Sequence, residues 1–420
     1  MHDLPDFLVY LPIGEWESNT RQKMLLAVSD ALRERQPRAK MLCLERPVCL
    51  ATSPLREGRR FGRWLRGERR LRQINDNLYV GTPWVPLHDR LAAHVPLLPR
   101  LNQYILRRYT RSALKRLSMR VDMLASWVFH PYQVSYLDVV PSALSVYECY
   151  DAYDEFASVA HNPREQQRIR DMERALMGRA SLVLTTGRNL YEARRARHSN
   201  VRLVPNGVSF EHFARATARP EPEDMRSIPK PILGFVGNIN EQIDYPLVTW
   251  LARRHPDWSF VVIGRYDGLV SLQRRADFKE WVALPNVHRL GWKDFADLPR
   301  YVANFQVGLI PFVINELTRQ VYPLKLHEYL ACGLPVVSTD MEEVRPFGDF
   351  ACVARTREEF ERGIETSLRE ASPALRERRV AVASAHSWSA RAQDILRALD
   401  DTVERLRNPA GVVAEGASHA

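Results

Sequence analysis

VYPLKLHEYLACGLPVVST, residues 321–339, reads as one short helix followed by one buried strand. Pro323 suits the first helical position, where a missing N–H costs nothing. Gly333 suits the position just past the helix end. LPVVST then supplies a strand apolar at nearly every place, as in a sheet covered on both faces. Lys325 and Glu328 are three apart and share one face near the helix N-terminus. A lysine in a first turn opposes the helix dipole by roughly 0.3–1 kcal/mol. An anion at the same place would reverse that sign. Helix N-termini hold phosphate through free N–H groups, and Lys325 would add a full charge. Glu328, one turn deeper, could accept hydrogen bonds from two vicinal ribose hydroxyls. An ordinary Lys–Glu helix pair is the plainer alternative.

Working outward, short apolar runs alternate with amphipathic stretches. FLVYLP (7–12), KMLCLE (40–45), MLASWVF (123–129), ALSVYECY (143–150), SLVLTT (181–186) and VRLVPNG (201–207) read as strands. Residues 20–36, 163–180 and 188–197 read as helices between them. This β-α-β spacing predicts an α/β fold with a parallel sheet. Residues 214–231 hold four prolines and few large apolar side chains, the composition of a linker. A second series follows, with strands at 232–237, 259–264, 287–291, 307–312 and 334–339. Its helices are expected at 244–254, 294–303 and 323–331. The expected domains are therefore 1–213 and 232–385, joined by the linker 214–231. A closing amphipathic helix follows over 386–407, and the small, polar 408–420 tail is expected to be disordered.

The 420 residues carry a net charge of +10, supplied mostly by arginine. A basic surface attracts nucleic acid, anionic lipid or phosphorylated substrates. No helix-turn-helix, zinc-finger or RNA-binding motif accompanies the charge, so nucleic acid is not expected. No basic n-region opens the chain, and no apolar run is long enough for a membrane span. A cytoplasmic protein, or one peripheral on the cytosolic face of a membrane, is the expectation. Arginine-rich 56–72 and 108–120 are the segments expected to meet an anionic membrane surface. A solvated helical face is the competing reading. Cys43, Cys49, Cys149, Cys332 and Cys352 form no C-x-x-C pair and read as buried thiols.

The 321–339 segment resembles the signature of two-Rossmann-domain (GT-B type) glycosyltransferases, especially the family-4-like, or group 1, enzymes. Their pattern P-x-K-x-x-E-Y-x-A-x-G-x-P-V-V is met by Pro323, Lys325, Glu328, Tyr329, Ala331, Gly333, Pro335, Val336 and Val337. Residues 235–264, 287–312, 146–156, 171–186, 202–213 and 386–396 are similar to other parts of that fold. The resemblance implies two Rossmann-like domains with parallel sheets facing a central cleft. It implies hexosyl transfer from a nucleotide-diphosphate sugar to a lipid-linked saccharide or polysaccharide, in cell-surface or exopolysaccharide synthesis. No cofactor and no obligatory metal are implied. By resemblance Glu328 holds the ribose, and Lys325 with nearby backbone holds the diphosphate. Tyr322, Pro323 and Leu326 flank that pair, and Gly237 and Asn238 open the loop GNINEQIDY beside it. That loop lacks the Arg and Lys of many members, so Arg265, Arg319 or Lys325 would supply the charge. Gln320 stands where many members carry a glutamate that contacts the donor sugar. A nucleotide-sugar 2-epimerase of the same fold and a non-catalytic scaffold for polysaccharide assembly are the alternatives. A dehydrogenase is disfavoured because the GFVG run lacks G-x-G-x-x-G.

Ligands of open α/β sheets bind at the carboxyl ends of strands. Asp151 and Asp154, in YDAYDEF after a strand, are therefore candidates for a general base; helix N-capping is the alternative. His130, also at a strand end, is an acceptor-side candidate. Gly14, in the loop after the first strand, would let a donor phosphate approach closely.

Overall fold

Apolar runs with both faces buried become the strands of covered parallel sheets, and the chain builds two of them. A computed structural model describes residues 4–11, 15–56, 58–67, 70–87, 97–155, 159, 162–215, 220–266 and 272–408. It divides into one unit of Met1–Pro205 with Arg391–Ala420 and a second of Asn206–Ala390.

The first unit contains β1 (Asp6–Tyr10), β2 (Met41–Leu44), β3 (Val48–Cys49), β4 (Leu71–Gln73), β5 (Leu78–Gly81), β6 (Trp84–Val85), β7 (Leu124–Val128), β8 (Leu144–Cys149), β9 (Leu182–Thr185) and β10 (Val201–Leu203). Eight of these form one sheet in the order β10-β9-β8-β7-β1-β2-β5-β4, and β3 pairs with β6. Only β4 runs antiparallel to its neighbour in the large sheet. Its helices include α1 (Gln22–Arg35), α2 (Gly58–Leu65), α3 (Leu98–Arg116), α4 (Pro163–Met177) and α5 (Arg188–Arg195). Helix α1 forms because Met24, Leu25, Val28, Ala31 and Leu32 recur on one stripe, and all five are buried.

The second unit contains β11 (Ile232–Val236), β12 (Ser259–Ile263), β13 (Val287–Gly291), β14 (Val307–Ile310), β15 (Val336–Thr339) and β16 (Ala351–Ala354), in the order β13-β12-β11-β14-β15-β16. Every pairing is parallel. Its helices include α6 (Tyr245–Arg254), α7 (Ala276–Val282), α8 (Leu324–Ala331), α9 (Arg357–Arg369) and α10 (Pro373–Ala385). Helix α11 (Trp388–Arg407) joins the first unit from Arg391 onward. There Thr402 Oγ1 accepts a hydrogen bond from Asn200 at 2.9 Å. The order of the second sheet reverses between β11 and β14, and that of the first between β1 and β7. A crevice for ligands opens at the carboxyl ends of strands at such a reversal.

Tyr329 helps to fix helix α8 onto this reversal, with Leu326 and Leu330 of the same helix also buried in the core. The Tyr329 ring lies against Gly308 of β14, where an added Cβ would come within 2.3 Å of it. The Tyr329 hydroxyl accepts the Val236 N–H of β11 at 2.9 Å. The helix ends in a Schellman turn: Gly333 (φ 75°) donates to Leu330 O at 2.9 Å and Leu334 to Tyr329 O at 3.0 Å.

Several expectations are corrected. Pro323 caps the helix in an extended conformation and is not its first residue, so α8 starts at Leu324. The supposed linker is largely part of the second unit. Its residues 216–219 lie outside the described ones, but Met225 and Ile228 are buried in that unit's core. The two apolar side chains override the proline-rich composition and move the boundary to Pro205/Asn206. Strand β16 is missing from the expected series, because ACVA is too short for an alternating pattern. The unexpected β4–β5 hairpin begins at the end of the arginine-rich run. The 409–420 tail lies outside the described residues. Cys43, Cys49, Cys149 and Cys332 are buried free thiols, and Cys352 is half-buried.

Tyr329→Phe strands the buried Val236 N–H, and Gly308→Ala drives a methyl into the ring. Each should cost about 1–3 kcal/mol in urea unfolding. Wild-type midpoints in both variants would show that α8 does not depend on this contact.

Candidate functional site

In the second unit the site grows from the end of β11. Gly237 (φ 145°) follows that strand, and Gly264 (φ 156°) follows β12. A Cβ on Gly264 would sit 1.8 Å from Gly237 O, so only glycine lets the two chain ends approach this closely. The loop beyond is pinned on both sides. Ile239 N–H donates to Arg265 O at 2.8 Å, and Asp244 N–H to Pro311 O at 2.8 Å.

Lys325 reaches into this place from α8. Its ammonium lies 4.3 Å from the centre of the Phe312 ring and 5.1 Å from that of Phe235. A Cβ on Gly237 would be 3.5 Å from Lys325 Nζ. The structure thus brings Gly237 and Lys325 together at the β11/β14 reversal. Both Lys325 and Glu328 are half-buried. Burial pulls the Lys325 pKa down to about 8, against the raising influence of Glu328. Burial pushes the Glu328 pKa up to about 7, against the lowering influence of Lys325. Each charge is therefore partly stripped of water and incompletely compensated by the other. A polyanion over Lys325 and hydroxyl donors at Glu328 would complete this compensation.

The neighbouring candidates divide. Asn238 is exposed at the loop start. Arg265 stacks its guanidinium 4.8 Å over Trp292, which follows β13. Tyr322 is buried, with its hydroxyl 2.5 Å from His327 Nε2. Leu326 is a core residue whose N–H donates to Pro323 O at 3.1 Å. Arg319 pairs with Glu316 at 3.0 Å. Gln320 ends the short 3-10 turn Thr318–Gln320.

In the first unit, the candidate Asp151 lies near a residue the sequence did not flag. Arg21, just before α1, is buried and pairs with Glu148 of β8 at 2.9 Å. Its guanidinium also lies 4.2 Å over the Tyr150 ring. The signal that could have found it was a carboxylate inside the apolar run ALSVYECY, which demands a buried partner. Burial raises the Asp151 pKa to about 6, and Arg21 pulls the other way. Asp151 is thus ionised at neutral pH but far more basic than a solvated aspartate. Asp154 has a structural role instead: Arg170 holds it at 2.8 Å and reaches Glu155 at 3.5 Å. Burial takes the His130 pKa down to about 4, so the ring is neutral. His130 Nδ1 accepts the Tyr132 N–H at 3.1 Å, which leaves the ring proton on Nε2. It can donate a hydrogen bond but cannot act as a base through Nε2. Gly14 lies outside the described residues.

Comparison with known proteins places this geometry. Residues 230–370, which carry the Lys325 site, match the family model for glycosyl transferases group 1. That segment is similar to group 1 glycosyltransferases. The chain is 29% identical over 205 residues to a Bacillus subtilis (strain 168) protein named as a teichuronic acid biosynthesis glycosyltransferase, TuaH. That alignment takes in 47% of this chain and 50% of TuaH, so the chain matches about half the length of this relative. Solved structures resemble nearly the whole chain. Anabaena HepE, in complex with UDP and glucose, has a TM-score of 0.63 at 14% identity, covering 94% of this chain and 99% of its own. Sucrose-phosphate synthase from Thermosynechococcus elongatus gives 0.65 at 13% identity, covering 95% and 99%. The UDP-forming trehalose-phosphate synthase from Burkholderia vietnamiensis gives 0.66 at 12%, covering 95% and 99%. The fold is GT-B.

The raised Glu328 pKa has a stability consequence with a definite sign. Its cost is absent below the ordinary pKa of 4.5, grows as pH rises towards about 7, and is complete above that. Glu328→Gln should therefore raise the melting midpoint of the ligand-free protein at pH 8. The gain should shrink as pH falls from 7 towards 4.5. A gain that grows at low pH, or none at any pH, would contradict the desolvated carboxylate.

Proposed function

We propose that the protein is a glycosyltransferase that moves a hexosyl group from a nucleoside-diphosphate sugar to a lipid-linked or polysaccharide acceptor. The observation that carries this reading is the Lys325 ammonium, held over Phe312 and Phe235 beside Gly237. A cation so placed has no need of a metal to meet a diphosphate, and Glu328 stands one turn further along for the ribose. The similarity of residues 230–370 to group 1 glycosyltransferases supports the reaction class. The names of the relatives support a sugar nucleotide as donor and a surface polysaccharide as product: HepE was solved with UDP, and TuaH is named for teichuronic acid.

The residues of the first unit have separate tasks in this reading. Asp151 accepts the acceptor hydroxyl's proton as that oxygen bonds the sugar's anomeric carbon and the bond from that carbon to the nucleoside diphosphate breaks, the diphosphate leaving. His130 donates from Nε2 to a substrate oxygen. Arg21 positions the end of β8 through Glu148 and Tyr150. Among the described residues, no helix is long and apolar enough to cross a membrane. We assign the work to the cytosolic face, where sugar nucleotides are found.

The direct test is a panel of nucleotide sugars scored by thermal stabilisation, since a ligand of the folded state raises the midpoint. One sugar nucleotide should stabilise the wild type. Lys325→Ala should weaken its binding roughly ten- to a hundredfold, the worth of a charge-assisted hydrogen bond. Equal affinity in that variant would refute the donor assignment. Epimerised donor in the absence of any acceptor would favour the 2-epimerase instead.

With a working acceptor, the turnover of the wild type should fall below pH 6, where Asp151 takes up its proton. Asp151→Asn should lower turnover at least a hundredfold at pH 7.5 and remove that acid limb. Unchanged turnover would rule Asp151 out as the base.

A further inference from the structure

The two basic segments of the first unit behave differently once folded. Arg60, Arg63 and Arg72 around α2 turn inward, while Arg59, Arg66 and Arg70 stay exposed. Arg60 is buried at 4% exposure and donates to the Arg46 carbonyl. Arg63 pairs with Glu15 at 3.2 Å, and Arg72 with Glu45 at 3.3 Å. Trp64 is buried, and its indole N–H donates to Thr82 O at 3.2 Å. These three charges are engaged with the residues that follow β1 and β2.

Helix α3 is the reverse. Its nineteen residues include no aspartate or glutamate. Asn102, Leu106, Thr110, Ala113 and Leu114 form the face turned into the unit. The opposite face, spaced as residues 97, 101, 104, 108, 111 and 115, is one continuous helical stripe. Its first part is apolar and open to solvent: Leu97 is 69% exposed, Leu101 45% and Tyr104 60%. Its second part is Arg108, Arg111 and Lys115, all exposed, with Arg100 exposed beside the apolar part. Among the described residues, none of these four cations has a carboxylate within 4 Å. Three large exposed apolar side chains on three turns, followed by unneutralised cations and no anion, match an interface with negative charge above an apolar layer.

We propose that this face of α3 docks the protein on an anionic lipid bilayer. Leu97, Leu101 and Tyr104 enter the boundary between headgroups and acyl chains, while Arg108, Arg111 and Lys115 meet lipid phosphates. This goes beyond the transferase reading and does not need it. It does explain how a chain without a membrane-spanning helix among its described residues would reach a lipid-linked acceptor.

The test is sedimentation of the full chain with vesicles. Wild type should bind vesicles of equal parts phosphatidylcholine and phosphatidylglycerol and stay in solution with phosphatidylcholine alone. Each basic residue near such a surface contributes about 1 kcal/mol. The triple variant Arg108→Gln, Arg111→Gln, Lys115→Gln should therefore bind roughly a hundredfold more weakly. Leu101→Ser with Tyr104→Ser should also lose binding, though its charge is intact. All substituted side chains are at the surface, so the melting midpoint and nucleotide affinity should remain those of the wild type. Wild-type binding to anionic vesicles in the triple variant would overturn the proposal. So would equal binding to both vesicle types, or a self-associated wild type that the same substitutions make monomeric. A protein that docks but binds no sugar nucleotide would sink the transferase reading and leave this one standing.

Discussion

Tyr329 joins the fold to the chemistry. Its ring fills the space over Gly308 and its hydroxyl takes the last N–H of β11. Both strands flank the reversal of the sheet, so this side chain helps to set the height and rotation of α8 over the crevice. Lys325 lies one turn earlier on the same helix, and its ammonium lands between Phe312 and Phe235 as a consequence. A shift of α8 would move the cation off both rings and away from Gly237. The Schellman turn at Gly333 closes the other end of the helix and leads directly into β15.

The site so built is electrostatically unfinished. Desolvation holds Lys325 near the limit of its charged range and pushes Glu328 toward neutrality. Such a pair costs the empty protein stability, and a cost of this kind persists where a ligand relieves it. The first unit uses the same physics differently. Arg21 and Glu148 form a direct ion pair in the interior, while Asp151 beside them has no such direct contact among the described residues and a raised pKa. The direct ion pair marks the structural residues, and the carboxylate outside it is the candidate base.

Much of this was legible before any coordinates. Lys325 and Glu328 were named because a proline, a glycine and a buried strand framed a short helix, and each of those features is local. The parallel sheets followed from runs without alternation. What failed to show was set by distance in the chain. Arg21 and Glu148 are partners across 127 positions, and nothing near Arg21 announces a buried role. The same holds for Phe235 and Phe312, read as strand residues yet serving as the cation's bed. Asp151 and Asp154 looked equivalent in sequence. Arg170, on the following helix, separates them by engaging only Asp154. The linker was misjudged because four prolines outweighed Met225 and Ile228, whose burial depends on the folded second unit.

The central claim is that Lys325 waits, partly discharged, for a diphosphate. Binding should restore its full charge, so the ligand must bring protons with it. Calorimetric titration of uridine diphosphate at pH 8, in buffers of different ionisation enthalpy, measures this directly. With the Lys325 pKa at about 8, roughly half a proton should be taken up per ligand bound. That uptake should vanish in Lys325→Met. Binding with no proton uptake in the wild type, or the same uptake in the variant, would contradict the account.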